Sequence, residues 1–199
     1  LPRPAEERAL DGASERVHAT CVALGPWAAL LRGASGAGKS DLALRFLSLS
    51  PLPSALDPAG LEAALVADDQ VELTRRNQSI LASAPDALAG RLEVRGVGIV
   101  DVTARSGASL ALVVDLVPAS QVDRMPDEEQ TEIILGIAVS RINLAPFEAS
   151  APLKLAVSFN RGGREISASG GPSSGSRSLL RIDERLIIMR AFIGAGVFD

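Results

Sequence analysis

Aromatic residues are scarce: tyrosine is absent, and 199 residues hold one tryptophan and five phenylalanines. Hydrophobic residues still make up 47% of the chain, so a core is available, but it must be built from Ala, Val, Leu and Ile. That composition suits layered α/β packing in one domain with a small appendage. The single cysteine, Cys21, excludes an internal disulfide and a multi-cysteine metal site. It sits among apolar residues and reads as a buried structural thiol. No basic run is present and the net charge is −4, which disfavours general nucleic-acid binding. No apolar run reaches the ~18 residues a membrane span needs. The first 17 residues mix both charge signs and do not read as a secretory signal. These absences lead us to expect a cytoplasmic protein without nucleic-acid or membrane partners.

What is present reads as an α/β fold, a mixed sheet with flanking helices. Residues 1–15 are polar and read as a flexible lead-in. Two apolar runs, Arg16–Leu24 and Trp27–Leu31, joined by Gly25-Pro26, predict an antiparallel hairpin. Apolar spacing over Lys39–Ser48 predicts a helix, and the prolines of 49–60 a surface loop. Further strands are expected over Ala63–Leu73, Ile80–Ala84, Leu92–Val102 and Ile133–Ile142. The continuous run Leu110–Val117 reads as a central, buried strand. Residues 126–130 read as an acidic turn or helix start, and a helix is expected from Pro146 to Phe159. Five Gly and five Ser in 160–177 read as a linker, followed by an amphipathic tail helix over 178–199. The main domain is thus expected over 16–159.

Between the hairpin and the first helix stands Gly33-Ala34-Ser35-Gly36-Ala37-Gly38-Lys39-Ser40, a complete phosphate-binding loop pattern. Glycines let successive backbone N–H groups point at one anion, and the helix that follows aims its positive dipole end at the same place. Lys39 can reach the β and γ phosphates, and the Ser40 hydroxyl can ligate Mg²⁺. A chance glycine-rich turn is the plain alternative, and the full pattern between a strand and a helix makes nucleotide binding the better reading.

Such a site also needs acids. Asp68 and Asp69 end an apolar run, where adjacent strand residues point to opposite faces unless the strand turns there. One could accept a proton while the other supports Mg²⁺; an isolated Asp-Asp is more often a solvated strand end. Glu93 and Arg95 alternate along a strand and would share a face, towards a phosphate site or merely towards solvent. His18, the only histidine, and Arg124 each have a structural or surface reading as well as a functional one.

Together these residues resemble the catalytic domain of the HPr kinase/phosphorylase family. Three segments carry the resemblance: Val17-His18 through Ser40, Leu65 through Val71, and Leu92-Glu93-Val94-Arg95-Gly96-Val97-Gly98 through Val102. The third is the most discriminating, since generic phosphate-loop ATPases have no such segment. The resemblance implies a core like that of phosphoenolpyruvate carboxykinase and an ATP- and Mg²⁺-dependent kinase acting on a serine of the phosphocarrier protein HPr. By position, it implies that Lys39 and the loop backbone hold the ATP phosphates and that Ser40, Asp69 and Glu93 serve Mg²⁺. Asp68 would be the catalytic base with His18 beside it, and Arg124 would stabilise charge on the transferring phosphoryl group. It further implies a short form of the enzyme, without the family's N-terminal domain, and a possible homo-oligomer, a hexamer in the family. Pro146–Pro152 replaces the family's basic Gly-Arg-Asn segment, so the resemblance does not extend to phosphorolysis. Two rival readings are a same-fold kinase for a small molecule or another protein, and a nucleotide-sensing module without transfer activity.

Overall fold

The computed structural model describes residues 10–50, 60–125 and 130–168. In chain order its strands are β1 (Ser14–His18), β2 (Thr20–Leu24), β3 (Trp27–Arg32), β4 (Ala63–Ala67), β5 (Gln70–Arg76) and β6 (Ser79–Ser83), then β7 (Arg91–Val94), β8 (Gly98–Asp101), β9 (Ala108–Leu116), β10 (Gln130–Ile134) and β11 (Ile137–Leu144). Two α-helices accompany them, α1 (Lys39–Leu47) and α2 (Ala151–Ala168). Nine strands form one mixed sheet in the order β1-β5-β6-β9-β3-β2-β4, and the β10–β11 hairpin joins through β11 to β9.

Strand β9 is the hub. Its Cys-free apolar run, Leu110 to Val114, is buried throughout, as a strand covered on both faces must be. It lies parallel to β3 along one edge. Its other edge is shared: Ser109 and Ala108 pair with β6, whereas Leu112 to Leu116 pair in parallel with β11. Along β3, successive side chains alternate between two cores. Ala29 and Leu31 face α1 and α2, together with Leu42, Phe46, Leu155 and Phe159. Ala28 and Leu30 face Cys21, Val71, Leu73, Ile80 and Val113. Each fully buried Leu or Phe stabilises the fold by ~1.5–3 kcal/mol relative to exposure. The rings of Phe46 and Phe159 stack with centroids 5.9 Å apart and tie the two helices together.

Several expected elements divide where the backbone must turn. The strand expected over Arg16–Leu24 breaks at Ala19, because β1 pairs with β5 while β2 pairs with β3 and β4. The strand expected over Ala63–Leu73 breaks at Asp68-Asp69, where Asp69 adopts φ 68°. The Leu92–Val102 stretch is a hairpin turning at 95–97, and Ile133–Ile142 is a hairpin turning at Leu135-Gly136. The second helix begins at Ala151 rather than Pro146, since residues 145–150 cross from β11 before the ladder starts with Lys154 N–H donating to the Ser150 carbonyl. It continues to Ala168, so residues 160–168 of the stretch read as linker are helical. Gly162 and Gly163 each cost a helix only ~1 kcal/mol, and the Arg-Glu-Ile that follows is compatible with it. Residues 1–9, 51–59 of the expected surface loop, 126–129, the rest of that stretch and the expected tail helix lie outside the described residues.

One charged cluster braces the sheet. The Arg32 guanidinium, last in β3, makes two bonds to Asp115 on β9 (2.9 and 3.2 Å) and two to Glu132 on β10 (2.7 and 2.7 Å). Arg141 on β11 donates to Asp115 as well, at 2.5 Å. Burial alone pushes the Asp115 carboxyl up, but Arg32 and Arg141 outweigh it and hold it below its ordinary value. The Arg32 hydrogen bond likewise holds Glu132 low, and that bond in turn raises the guanidinium. A depressed folded-state pKa contributes stability that is full above the unfolded value and is lost as pH falls through the folded one. Thermal stability is therefore expected to decline as pH drops below about 4. Asp115→Asn is expected to flatten that decline and to cost ~1–3 kcal/mol at neutral pH, between the losses typical of exposed and buried pairs. Thermal melts of both proteins from neutral pH to about pH 3 check this; an identical pH profile in the variant would count against the cluster as its source.

Candidate functional site

The glycine-rich loop runs from the end of β3 to the start of α1. Gly38 stands at the helix N-cap with φ 90°, a left-handed conformation that disfavours a side chain. Space is restricted there too: a methyl group at position 38 would lie 3.0 Å from Cε1 and Cζ of Phe147. Lys39 is only 8% exposed, and its ammonium donates to the carbonyls of Gly33 (2.9 Å) and Ala34 (3.1 Å). The lysine thereby fixes the loop's curvature while staying at its rim.

Opposite the loop, two strand breaks meet. The β1–β2 break at Ala19 lies against the β4–β5 break at Asp68-Asp69, with Ala19 N–H donating to the Asp69 carbonyl. The turn is tight, since Gln70 N–H bonds the Asp68 carbonyl at 2.8 Å. Asp tolerates the left-handed region better than most residues, which suits position 69. A straight strand would send the two carboxylates to opposite faces; the turn brings both to one cavity, Asp68 buried and Asp69 exposed.

Asp68 is 8% exposed and fully engaged. Its carboxylate accepts from the Thr20 hydroxyl (2.6 Å), from the Ser40 hydroxyl (3.0 and 3.2 Å) and from the Glu93 backbone N–H (3.3 Å). Asp69 has a side chain 65% exposed, and its Oδ1 lies 3.0 Å from His18 Nδ1. The resemblance places His18 beside Asp68; the structure pairs it with Asp69 instead. The reason is register: His18 is opposite Gln70 in the β1–β5 pair, next to Asp69, and it is Thr20, beyond the Ala19 break, that reaches Asp68.

These groups line a cavity of about 500 Å³ together with Ser35, Gly36, Asp41, Leu44, Val94, Arg95 and Phe147. The structure thus brings Ser35, Gly36, Gly38, Lys39, Ser40, His18, Asp68, Asp69 and Glu93 to one place, whereas Gly33, Ala34 and Ala37 of the loop do not line the cavity. Arg124 is not brought there. It is exposed on the loop after the 3-10 turn Ala119–Gln121, and no residue from 118–125 lines the cavity. Among the described residues, Arg95 is the only arginine that does. The turn after β7 carries it, and Glu93, Val94 and Arg95 all line the cavity. Thr20 was missed in the sequence, although its place two residues after His18 on a strand-like run was a signal for a shared face.

The donors fit Mg²⁺. It takes oxygen ligands, keeps several waters and in phosphoryl-transfer sites uses one or two carboxylates with substrate phosphates. Ser40 and Asp68 offer adjacent oxygens of that kind, and Glu93 lines the same cavity. Among the described residues no group of three His, Cys, Asp or Glu is arranged to hold a metal by itself. Cys21 takes no part: it is fully buried between strands, and burial pushes its thiol far up, as a structural role requires. No helix among the described residues is long and apolar enough to cross a membrane.

Comparison with known proteins gives the family and the fold. Residues 12–154 match the family described as HPr Serine kinase C-terminal domain. The HPr kinase/phosphorylase of Limosilactobacillus reuteri is 30% identical over 139 residues, covering 64% of this chain and 40% of that protein. That of Variovorax paradoxus is 35% identical over 125 residues, covering 57% and 35%. Among solved structures, the Hpr(Ser) kinase/phosphatase from Coxiella burnetii superposes with a TM-score of 0.60 at 25% identity, covering 78% of this chain and 99% of that one. The chain spans about 40% of the length of the Limosilactobacillus relative. The mixed α/β fold and the matched region together show that this chain belongs to the HPr serine kinase C-terminal domain family.

Proposed function

We propose that the cavity binds Mg²⁺–ATP and that the protein transfers the γ-phosphoryl group to a serine of an HPr-like phosphocarrier. The observation that carries this is the Ser40 hydroxyl on the Asp68 carboxylate, at the first turn of the helix that the glycine-rich loop opens. In this reading the loop amides from Gly33 to Gly38 and the Lys39 ammonium hold the phosphates. Ser40 and Asp68, flanked by Glu93, hold Mg²⁺. Bound there, ATP supplies the phosphoryl group and Mg²⁺ neutralises charge on it as it moves. The loop's approach from an antiparallel β2–β3 hairpin supports the carboxykinase-like arrangement expected from the sequence.

Geometry favours an exchange of the two aspartate roles that the resemblance implies. Asp68 has its oxygens committed to two hydroxyls and an N–H and is nearly covered, so an incoming serine hydroxyl has little access to it. Asp69 is open to the cavity, and His18 orients its carboxylate. We assign Asp69 as the group that takes the serine proton and His18 as its positioning partner. The remaining cation, Arg95, stands on the same cavity wall and can meet phosphate charge in place of Arg124.

Calorimetric titration tests the first half of this reading. Mg²⁺–ATP is expected to bind and the heat to vanish when EDTA removes the metal. ATP that binds equally well without metal would contradict the Ser40–Asp68 assignment, and no binding at all would contradict the nucleotide reading.

A further inference from the structure

The cavity lining is chemically uneven. Asp68, Asp69, Glu93 and His18 surround Ser40, whereas Leu44, Val94 and Phe147 supply its apolar surface. A triphosphate held by the loop must extend its ribose and base along this cavity. A base has flat apolar faces, which carboxylates cannot recognise but an aromatic ring can.

Phe147 is placed for that contact. It is 72% exposed, unlike Phe46 and Phe159, which bury each other. It also lies directly against the loop at Gly38. Its backbone is clamped on both sides by one side chain: the Arg45 guanidinium donates to the Pro146 carbonyl and, at 3.3 Å, to the Glu148 carbonyl. Arg45 is itself held by Asp41, one helical turn earlier, at 3.0 Å. The helix that begins at the loop therefore holds the Phe147 backbone in place before any ligand arrives, which lowers the ordering cost of a stacking contact.

We propose that Phe147 is the platform on which the nucleotide base stacks, an inference that rests on the nucleotide reading of the cavity. Its test compares two ligands that share a phosphate chain and differ in the base: Mg²⁺–ATP and Mg²⁺–tripolyphosphate. Both are titrated into the wild-type protein, Phe147→Ala and Phe147→Trp. Phe147→Ala is expected to weaken ATP about tenfold, a typical loss for one base–aromatic stack, while tripolyphosphate affinity stays within about twofold. Phe147→Trp is expected to restore ATP affinity and to report the base through quenching of its fluorescence.

Equal loss for both ligands in Phe147→Ala would overturn the proposal, since the ring would then merely support Gly38. Unchanged ATP affinity would overturn it too, including the case where only the KM for the acceptor protein rises and the ring meets that protein instead. Failure of the wild-type protein to bind tripolyphosphate would strike at the phosphate-loop reading and bring the inference down with it. Normal tripolyphosphate binding with an indifferent Phe147→Ala sinks the inference alone.

Discussion

Lys39→Met is expected to weaken Mg²⁺–ATP binding by about 100-fold or more, which corresponds to ~3 kcal/mol. Two losses combine. The ammonium would no longer meet the phosphates, and the carbonyls of Gly33 and Ala34 would lose the donor that holds them in the loop's curve. Hydrogen bonds to charged groups are worth ~1.5–3 kcal/mol each, so losing the two internal bonds alone deforms the loop. Methionine keeps the aliphatic stem, so the packing of the nearly buried side chain is largely preserved. Calorimetric titration measures the affinity, and a thermal melt separates loop damage from global unfolding. An affinity within about threefold of wild type would contradict the placement of phosphates on this loop.

Asp69→Asn is expected to lower the rate of phosphoryl transfer by ~10²–10⁴-fold, the usual contribution of a positioned general base, with ATP affinity nearly unchanged. The side chain is exposed and bonded to His18 alone among the described contacts, so its amide should disturb little else. Asp68→Asn is expected to behave differently. It would disrupt the Thr20 and Ser40 bonds and raise the Mg²⁺ concentration needed for half-maximal activity. Rates of both variants across a Mg²⁺ series decide between the two assignments. Near-normal transfer by Asp69→Asn, with Asp68→Asn inactive even at saturating Mg²⁺, would return the base to Asp68.

The parts of this site that were legible in the sequence are those that local physics dictates. The spaced glycines Gly33, Gly36 and Gly38 before Lys39-Ser40 let the backbone curl around an anion, and the run from Leu110 to Val114 is too apolar to lie anywhere but in the middle of a sheet. The Gly25-Pro26 turn places β2 and β3 side by side without help from distant residues. Long-range pairing supplied what was not legible. Nothing local says that Ala19 is where the chain passes from β5 to β3 and β4, yet that break decides that His18 meets Asp69 and Thr20 meets Asp68.

The same limit hid the charged cluster. Arg32 precedes the loop by one residue and reads as an ordinary strand end, because its partners lie 83 and 100 residues away. Phe147 lies in the segment where the family's basic motif is absent, and its value as a ring beside Gly38 depends on a clamp from Arg45 across a separation of 101 residues. Arg124, which the resemblance implies at the phosphates, stands on the loop after β9 and does not line this cavity.

The most direct test of the account is transfer from ATP labelled at the γ-phosphate, with Mg²⁺, to purified HPr beside an HPr whose acceptor serine is replaced by alanine. The account predicts label on the intact HPr and none on the alanine form. Label on neither, with ATP bound, would contradict transfer to this acceptor and leave a nucleotide-binding domain whose substrate is another molecule.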